Sequence, residues 1–104
     1  MRYLELAKRF SHRKVLDPLL EGKDCLTGMH ANTQIPKVIG YKRIADIEGN
    51  QEWDKAAGFF WETVVENRSI TIGGNSVCEH FHPSDDFSSM LESEQGPETC
   101  NTYN

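Results

Sequence analysis

The chain has 104 residues and a mass of 11.9 kDa, and its 11 Lys and Arg residues against 16 Asp and Glu residues give a net charge of −5. With 38% apolar and 26% charged residues, the composition is typical of a soluble globular protein. No apolar run approaches the roughly 18 residues of a membrane span, and no apolar stretch near the start predicts a secretory signal. The acidic balance argues against a nucleic-acid partner, and three cysteines without paired spacing argue against a disulfide framework.

The chain begins with a short predicted helix. Four apolar residues recur at helical spacing and would share one face: Tyr3, Leu6, Ala7 and Phe10. Residues 15–20 are ambiguous, because Asp17 and Pro18 can open a helix of one or two turns as its N-cap and first helical residue. Cys25 has no partner at a suitable spacing and is predicted to lie in the core.

Two longer helices follow. The first is predicted over residues 33–48, with Pro36 in its first turn and Gly49 at its end. The second is predicted over residues 51–67, with Asn50 as N-cap and one stripe of apolar residues: Trp53, Ala56, Ala57, Phe60, Trp61, Val64 and Val65. A connection of about two to four residues makes such helices antiparallel neighbours, so we expect an αα-hairpin.

The charge is unevenly distributed along the chain. All 11 basic residues precede Ser69, where they stand beside ten acidic residues. Residues 69–104 contain six acidic residues and no Lys or Arg. Composition alone leaves open whether this acidic part is a solvated tail or belongs to the fold.

Shorter elements are predicted within the acidic part. Residues 69–72 are expected to form a strand that runs into a turn at residues 73–75, and Pro97 is expected to restart a helical turn. The chain would then stop at Asn104 inside a helix, which is unusual for a complete domain. We therefore expect a segment of a larger all-α assembly.

Side chains suited to metal binding concentrate in the acidic part. Glu98 and Cys100 offer an oxygen and a sulfur donor two residues apart, and both residue types bind Zn²⁺. A four-ligand zinc site can also be drawn from this region alone: Cys78, His80, His82 and Cys100. Because these spacings match no recognised zinc pattern, the alternative is that Cys100 is a small buried hydrophobe and that the histidines lie in loops.

Glu79 is the best candidate for acid–base chemistry. It follows a Gly-Gly turn that can place it at the rim of a cleft, and an apolar neighbour such as Phe81 favours the protonated carboxyl of a general acid. The alternative is a solvated glutamate in an acidic loop.

Three polar side chains lie at the entrance of the helix predicted over residues 33–48 and are candidates for binding a sugar or another ligand: His30, Asn32 and Gln34. Hydrogen-bonding side chains at this place can orient a polar ligand. The alternative is helix capping by Asn32 or Thr33, with His30 packed in a loop.

Three blocks of the sequence are more specific than these spacings. They read LTGMHANTQIPK at residues 26–37, IGGNS at residues 72–76 leading to EHF at residues 79–81, and GPETCNTYN at residues 96–104. In content and order they resemble glycoside hydrolase family 127, the former DUF1680 domain. The resemblance covers nearly the whole chain.

This resemblance implies a fold and an activity. The fold is all-α, a segment of an (α/α)6 toroid built from helical hairpins, with a short β/loop insertion near residues 69–95. Residues 1–68 would be the helical part, and residues 69–104 the acidic loop and strand part that carries active-site residues. Characterised relatives are retaining β-L-arabinofuranosidases that act on arabinose-containing glycans, so the implied partner is a carbohydrate. Their nucleophile is a zinc-bound cysteine thiolate, an exception to the usual pair of carboxylates.

The family's functional residues carry over by position. Glu79 matches the acid/base glutamate, Glu98 and Cys100 match a zinc-binding Glu-x-Cys pair, and His30 matches a histidine that contacts the sugar. Asn32 and Gln34 stay candidates for substrate binding beside it. The two remaining zinc ligands, a downstream cysteine pair that includes the nucleophile, have no counterpart in this sequence. The resemblance therefore implies that this segment alone binds zinc weakly or not at all and does not turn over substrate.

One alternative from another class stays open, a small helical binding or interaction module with a structural zinc site and no catalysis. The two are distinguished by geometry: the enzyme needs Glu79, Glu98 and Cys100 to face one open cleft with His30, whereas the binding module needs its sulfur and imidazole groups to converge on one closed site. In a segment of the larger enzyme, the apolar stripe over residues 53–65 loses part of its partner surface, which predicts an exposed patch and self-association. Localisation stays open, because complete relatives are often exported whereas no secretory signal is predicted in this sequence.

Overall fold

The computed structural model describes residues 2–103, with the side chains of residues 2–101, and its fold is all-α as predicted. The described residues form five α-helices and one 3₁₀ helix: α1 (Arg2–Arg9), α2 (Arg13–Leu20), α3 (Ala31–Glu48), α4 (Gln51–Asn67), α5 (Phe87–Glu92) and the 3₁₀ helix (Cys100–Tyr103). Within residues 2–103 no strand forms, and only isolated β-bridges join extended segments. None of the described helices is long and apolar enough to cross a membrane. The predicted end at Asn104 lies outside the described residues.

The predicted αα-hairpin is confirmed, and α3 and α4 share the most extensive contact in the fold. Gly49 ends α3 in the left-handed conformation, with a φ of 68° that glycine adopts without a side-chain clash. Asn50 then caps α4, because its side-chain oxygen accepts hydrogen bonds from the N–H groups of Glu52 at 3.1 Å and Trp53 at 3.2 Å. These two caps on adjacent residues explain how so short a connection reverses the chain.

The core lies where α2, α3 and α4 meet. Its large apolar side chains come from all three helices: Val15, Leu16 and Leu19 of α2, Val38, Tyr41 and Ile44 of α3, and Trp53, Phe60 and Val64 of α4. Full burial of one such side chain contributes about 1.5–3 kcal/mol. Burial also raises the pKa of the Tyr41 hydroxyl, which donates a hydrogen bond to the His12 carbonyl at 3.1 Å. The core therefore fixes the hairpin of α3 and α4 against α2 and against His12, which precedes α2.

The apolar stripe of α4 is only partly covered. Trp61 is 68% exposed and Val65 is 45% exposed, and with Ile39 of α3, which is 51% exposed, they line an open groove between the two helices. The predicted exposed apolar patch is therefore confirmed, whereas self-association stays a prediction.

The start of the chain differs from the sequence prediction in one respect. The helix at residues 2–9 forms as predicted, although none of its residues is buried. The second helix begins at Arg13 with His12 as N-cap, so the prediction that Asp17 and Pro18 open it is wrong. A helix that begins this early buries three apolar side chains in the core: Val15, Leu16 and Leu19. That burial outweighs the one backbone hydrogen bond that Pro18 cannot donate.

The acidic part of the chain is folded against the helices rather than solvated as a tail. Phe81 is 2% exposed, Met90 is fully buried, and Asn101 is 2% exposed. The sequence did not predict α5, which begins after Asp86, whose carboxylate accepts a hydrogen bond from the N–H of Ser89 at 3.1 Å. Buried anchors and a capped helix give this acidic segment a defined structure.

The predicted strand at residues 69–72 is wrong. The N–H of Ile70 donates to the carbonyl of Gly74 at 2.9 Å, and the N–H of Gly73 donates to the carbonyl of Ile70 at 2.8 Å. A strand needs a neighbour for its N–H and C=O groups, and this segment instead closes on itself as a tight turn. The predicted helical turn at Pro97 also begins later, as a 3₁₀ helix at Cys100.

Candidate active site

The candidate site forms where the entrance of α3 pairs with the segment that follows Glu79. The N–H of Gly28 donates to the carbonyl of Phe81 at 2.8 Å, and the N–H of Phe81 donates to the carbonyl of Met29 at 2.9 Å. The N–H of Ala31 donates to the carbonyl of Glu79 at 2.8 Å. This short antiparallel pairing places Glu79 beside the first turn of α3.

Glu79 stands on a two-residue hairpin turn between Val77 and His80. The N–H of each of these two residues donates to the carbonyl of the other, at 2.8 and 3.0 Å. The central residues, Cys78 and Glu79, both have positive φ, at 48° and 66°, as a type I′ turn requires. Because neither is glycine, each costs roughly 1–3 kcal/mol of backbone strain. Such strain is typical of functional turns, where the surrounding structure holds a side chain in place.

The backbone that packs against the turn requires glycine at position 96. A Cβ there would lie 2.6 Å from the carbonyl oxygen of Ser76, which no real side chain tolerates. The N–H of Cys78 donates to the carbonyl of Gln95 at 2.9 Å from the same segment. Close backbone approach therefore joins the Glu79 turn to the segment that leads to Glu98.

His30 is both the N-cap of α3 and the neighbour of Glu79. Its Nδ1 accepts a hydrogen bond from the N–H of Thr33 at 3.2 Å, so the expected capping by Asn32 or Thr33 is replaced by capping from His30. Its Nε2 lies 3.7 Å from Oε2 of Glu79. The two side chains are 34% and 61% exposed, and both reach solvent.

The proposed zinc-binding pair lies beside Asn32, a residue of the first turn of α3. Sγ of Cys100 lies 3.7 Å from Oε2 of Glu98 and 3.5 Å from Nδ2 of Asn32. Two ligands of a tetrahedral zinc ion, at about 2.3 Å for sulfur and 2.0 Å for oxygen, are separated by roughly 3.5 Å. The separation of Glu98 and Cys100 therefore fits two of the four positions around zinc.

A buried polar cluster joins these two halves of the site. Asn101 donates to Oδ1 of Asn75 at 2.7 Å, and the hydroxyl of Ser76 donates to the same oxygen, also at 2.7 Å. The backbone of Asn75 pairs with that of Glu98 through hydrogen bonds of 2.9 and 2.8 Å. Satisfied buried polar groups of this kind specify one arrangement, and here they fix the segment before Glu79 against the segment around Cys100.

Arg68, which follows α4, is a buried residue that links two segments of the site through hydrogen bonds. Its side chain is 2% exposed and forms hydrogen bonds to both carboxylate oxygens of Asp24, at 2.8 and 2.9 Å from Nη2. Nη2 also donates to Oγ1 of Thr27 at 3.0 Å, and Nη1 donates to the carbonyl of His82. The guanidinium therefore links the segment that enters α3 to the segment that follows Glu79.

Several sequence expectations about exposure need correction. Cys25 is exposed and does not lie in the core, and Cys100 is exposed rather than a buried small hydrophobe. Gln34 is 7% exposed, and its side-chain oxygen accepts a hydrogen bond from Lys37 at 3.0 Å. Phe81 is buried, so it does not enclose the exposed Glu79 carboxylate as expected. Gln34 thus differs from His30 and Asn32, which stand at the open side of the α3 entrance.

The closed zinc site of the alternative function is not assembled among the described side chains. No three His, Cys, Asp or Glu side chains of residues 2–101 lie close enough together to hold a metal ion. His82 is 4% exposed and packs edge to face on Phe87, with ring centroids 5.3 Å apart. Neither of its ring nitrogens has a hydrogen-bond partner among the described residues. Because His82 turns into the interior while Cys78 and Cys100 face solvent, the four proposed ligands do not converge.

We expect the burial of His82 to make the folded chain less stable in mild acid. Burial, with a smaller contribution from the Arg68 guanidinium, lowers the pKa of His82 below its ordinary 6.5, against the opposing effect of Asp86. The unfolded chain then binds the proton more readily, so stability present above about pH 6.5 is lost as the pH falls below it. Urea unfolding between about pH 8 and pH 5 measures this loss. His82→Phe should show a smaller loss over the same range, and an equal loss in both proteins would contradict the prediction.

Sequence reasoning missed the residues that hold the site together. The clearest are Arg68, Asp24 and the pair of asparagines, Asn75 and Asn101. Both asparagines stand inside two of the blocks that carry the family resemblance, IGGNS and GPETCNTYN, and this position is the signal that could have found them. A lone Arg at the end of a helix carries no comparable signal.

A family model described as "Beta-L-arabinofuranosidase, GH127 catalytic domain" matches residues 1–104. A search of the curated proteins finds no match to the chain. Because the family match covers the whole sequence, this chain belongs to the GH127 catalytic-domain family of glycoside hydrolases.

Proposed function

We propose that this chain carries the acid/base glutamate and half of the zinc site of a retaining β-L-arabinofuranosidase. The observation that supports this most strongly is that Glu79 and the Glu98–Cys100 pair each lie against a residue at the entrance of the same helix. Glu79 lies 3.7 Å from His30, and Cys100 lies 3.5 Å from Asn32, two residues farther along the same entrance. A sugar that contacts His30 and Asn32 would then lie between an acid and a metal-binding thiol.

The chemistry assigned to Glu79 has two steps. In the first, its protonated carboxyl donates the proton to the oxygen of the leaving group as the glycosidic bond breaks. In the second, the resulting carboxylate takes a proton from the water that releases the sugar. Exposure of the side chain suits this role, because leaving group and water must both reach the same carboxyl.

Glu98 and Cys100 would hold the zinc ion together with the two downstream cysteines that the family resemblance implies. When bound, zinc keeps a cysteine sulfur ionised, and the thiolate is the nucleophilic form of that side chain. His30 and Asn32 would orient the sugar through their polar side chains. Gln34 is buried and would act on the sugar only through its neighbours.

The decisive experiment measures zinc content and hydrolysis of p-nitrophenyl β-L-arabinofuranoside. A chain extended through the two downstream cysteines is compared with the 104-residue chain. We expect stoichiometric zinc and activity in the extended protein and neither in the shorter one. Stoichiometric zinc in the short chain, with activity in neither protein, would instead favour a structural zinc site.

Within the extended protein, Cys100→Ser should remove both zinc and activity. Changes in residues that only support metal ligands lower metal affinity by roughly 10- to 100-fold, so loss of a direct ligand should exceed this range. Cys25→Ser is the matched control, because Cys25 is also an exposed free cysteine but lies outside the site. Zinc retention by Cys100→Ser at the level of this control would contradict the assignment.

A further inference from the structure

The imidazole of His80 closes the turn that carries Glu79. Its Nδ1 lies 2.7 Å from the carbonyl oxygen of Cys78, inside the two-residue turn. Since a carbonyl oxygen can only accept, Nδ1 must carry the proton and donate it. In neutral His80 this leaves Nε2 as the bare ring nitrogen.

Hydrogen bonds rather than core packing restrain the tip of this turn. The N–H of Cys78 donates to the carbonyl of Gln95, the carbonyl of Glu79 accepts from the N–H of Ala31, and the bond from His80 holds the carbonyl of Cys78. Cys78, Glu79 and His80 are all exposed, so no core packing holds the tip. Cys78 and Glu79 are both in the left-handed region, which is strained for residues with a side chain. A bond from His80 to the carbonyl between these two residues opposes relaxation at the place where the strain lies.

The strained conformation also decides where the Glu79 carboxylate points. Side chains alternate between the two faces of a regular extended segment, so residues 79 and 80 would point to opposite faces. His30 and His80 are a directly opposed pair of the bridge, and their rings meet edge to face with centroids 5.3 Å apart. With a φ of 66°, Glu79 departs from the alternation, and its carboxylate comes within 3.7 Å of His30 on the same side.

We propose that His80 is a positioning residue for Glu79, acting through the hydrogen bond from its Nδ1–H to the carbonyl of Cys78. The proposal rests on the proposed function, because it assumes that Glu79 is the acid/base group. His80 holds the left-handed turn, and the turn aims the carboxyl at the glycosidic oxygen. Without this bond the turn relaxes, and the carboxyl loses its alignment with the leaving group.

Two amide variants distinguish the role of Nδ1 from that of Nε2. The amide nitrogen of His80→Asn takes the place of Nδ1 and can still donate to the Cys78 carbonyl. The longer side chain of His80→Gln places its amide near Nε2 and loses the short bond. If positioning depends on Nδ1, Asn preserves it, whereas Gln and Ala do not.

Two substrates separate positioning of the acid from general damage to the enzyme. Cleavage of a methyl β-L-arabinofuranoside needs a proton on the departing alkoxide, whereas p-nitrophenolate leaves with little protonation. For a retaining enzyme, kcat/KM reports the step in which the leaving group departs. A misaligned acid therefore lowers kcat/KM for the methyl glycoside far more than for the p-nitrophenyl glycoside.

In the extended, zinc-loaded protein, we expect His80→Ala and His80→Gln to lower kcat/KM for the methyl glycoside by about 10- to 100-fold. The value for the p-nitrophenyl glycoside should change by less than about threefold, and His80→Asn should stay near wild type with both substrates. Equal losses with both substrates, or a His80→Asn variant as poor as His80→Ala, would overturn the proposal.

A second measurement keeps this test distinct from the test of the proposed function. In the 104-residue chain, ¹⁵N NMR of the histidine rings should show the proton of neutral His80 on Nδ1 and that of neutral His30 on Nε2. A wild-type extended enzyme that hydrolyses neither substrate would refute the proposed function. An active wild type in which the proton of His80 resides on Nε2 would refute only the role of His80.

Discussion

Glu79→Gln is expected to lower kcat/KM for methyl β-L-arabinofuranoside by about 10²- to 10⁴-fold in the extended enzyme. Glutamine keeps the size of the side chain and can still lie near Nε2 of His30, but it can neither donate the proton to the leaving group nor accept one from water. The loss should be much smaller for the p-nitrophenyl glycoside, whose departure needs little protonation. Steady-state kinetics with the two substrates measure both effects.

The second half of the catalytic cycle gives an independent test of the same residue. With Glu79→Ala, release of the sugar should become rate-limiting for the p-nitrophenyl glycoside, because no base activates the water. Azide is an anionic nucleophile that needs no base, so it should restore kcat and yield a glycosyl azide. Rescue that is absent, in a variant that still binds zinc, would argue against Glu79 as the base.

Glu92→Gln serves as the control for these variants. Glu92 lies at the end of α5, is exposed, and belongs to the same acidic part of the chain. Glu92→Gln removes the same negative charge as Glu79→Gln but changes a residue outside the site. If this variant lost activity like Glu79→Gln, the effect would come from the overall charge of the segment rather than from one carboxyl.

The helical hairpin could be predicted from the sequence because local signals and tertiary packing agree there. The spacing of the α4 stripe, the left-handed Gly49 and the capping Asn50 all specify the same reversal. Where local signals and tertiary packing disagree, packing determines the structure. The local signal of Asp17 and Pro18 lost to the burial of apolar residues that a helix beginning at Arg13 allows.

The site was predictable in its residue types but not in its geometry. Nothing local indicates that Cys78 and Glu79 adopt left-handed conformations, because both residue types disfavour them. Contacts from distant segments impose these conformations, among them the bond from Cys78 to Gln95 and the pairing with the α3 entrance. The burial of His82 was equally hidden, since a histidine beside an acidic loop is ordinarily solvated.

The same long-range dependence identifies the most fragile point of the fold. Arg68 is a buried cation that joins Asp24 and Thr27, before α3, to the His82 carbonyl, after Glu79. Its guanidinium also lies 5.8 Å from the Phe81 ring. The two chain segments that pair to form the site are thus both hydrogen-bonded to the Arg68 guanidinium.

Arg68→Ala is expected to destabilise the 104-residue chain by about 2–5 kcal/mol, because it leaves the buried His82 carbonyl without its donor and opens a cavity beside Phe81. Small domains have only about 5–15 kcal/mol of total stability, so the variant should be close to unfolding at room temperature. Urea denaturation of the two proteins measures the difference. Arg43→Ala is the control, since Arg43 is exposed on α3 and should change stability by less than about 0.5 kcal/mol.

The double variant Arg68→Met with Asp24→Leu separates the effect of the ion pair from the effect of the other hydrogen bonds that Arg68 donates. Arg68 is buried and Asp24 is partly exposed, so an apolar side chain at position 68 fills the cavity without a buried charge, and part of the loss should be recovered. The hydrogen bonds to Thr27 and the His82 carbonyl are still missing in this protein. Amide exchange at Ala31 and Phe81, whose N–H groups pair the two segments, should therefore be faster than in wild type even when global stability is restored. Unchanged exchange at both amides would show that the pairing that places Glu79 does not depend on Arg68.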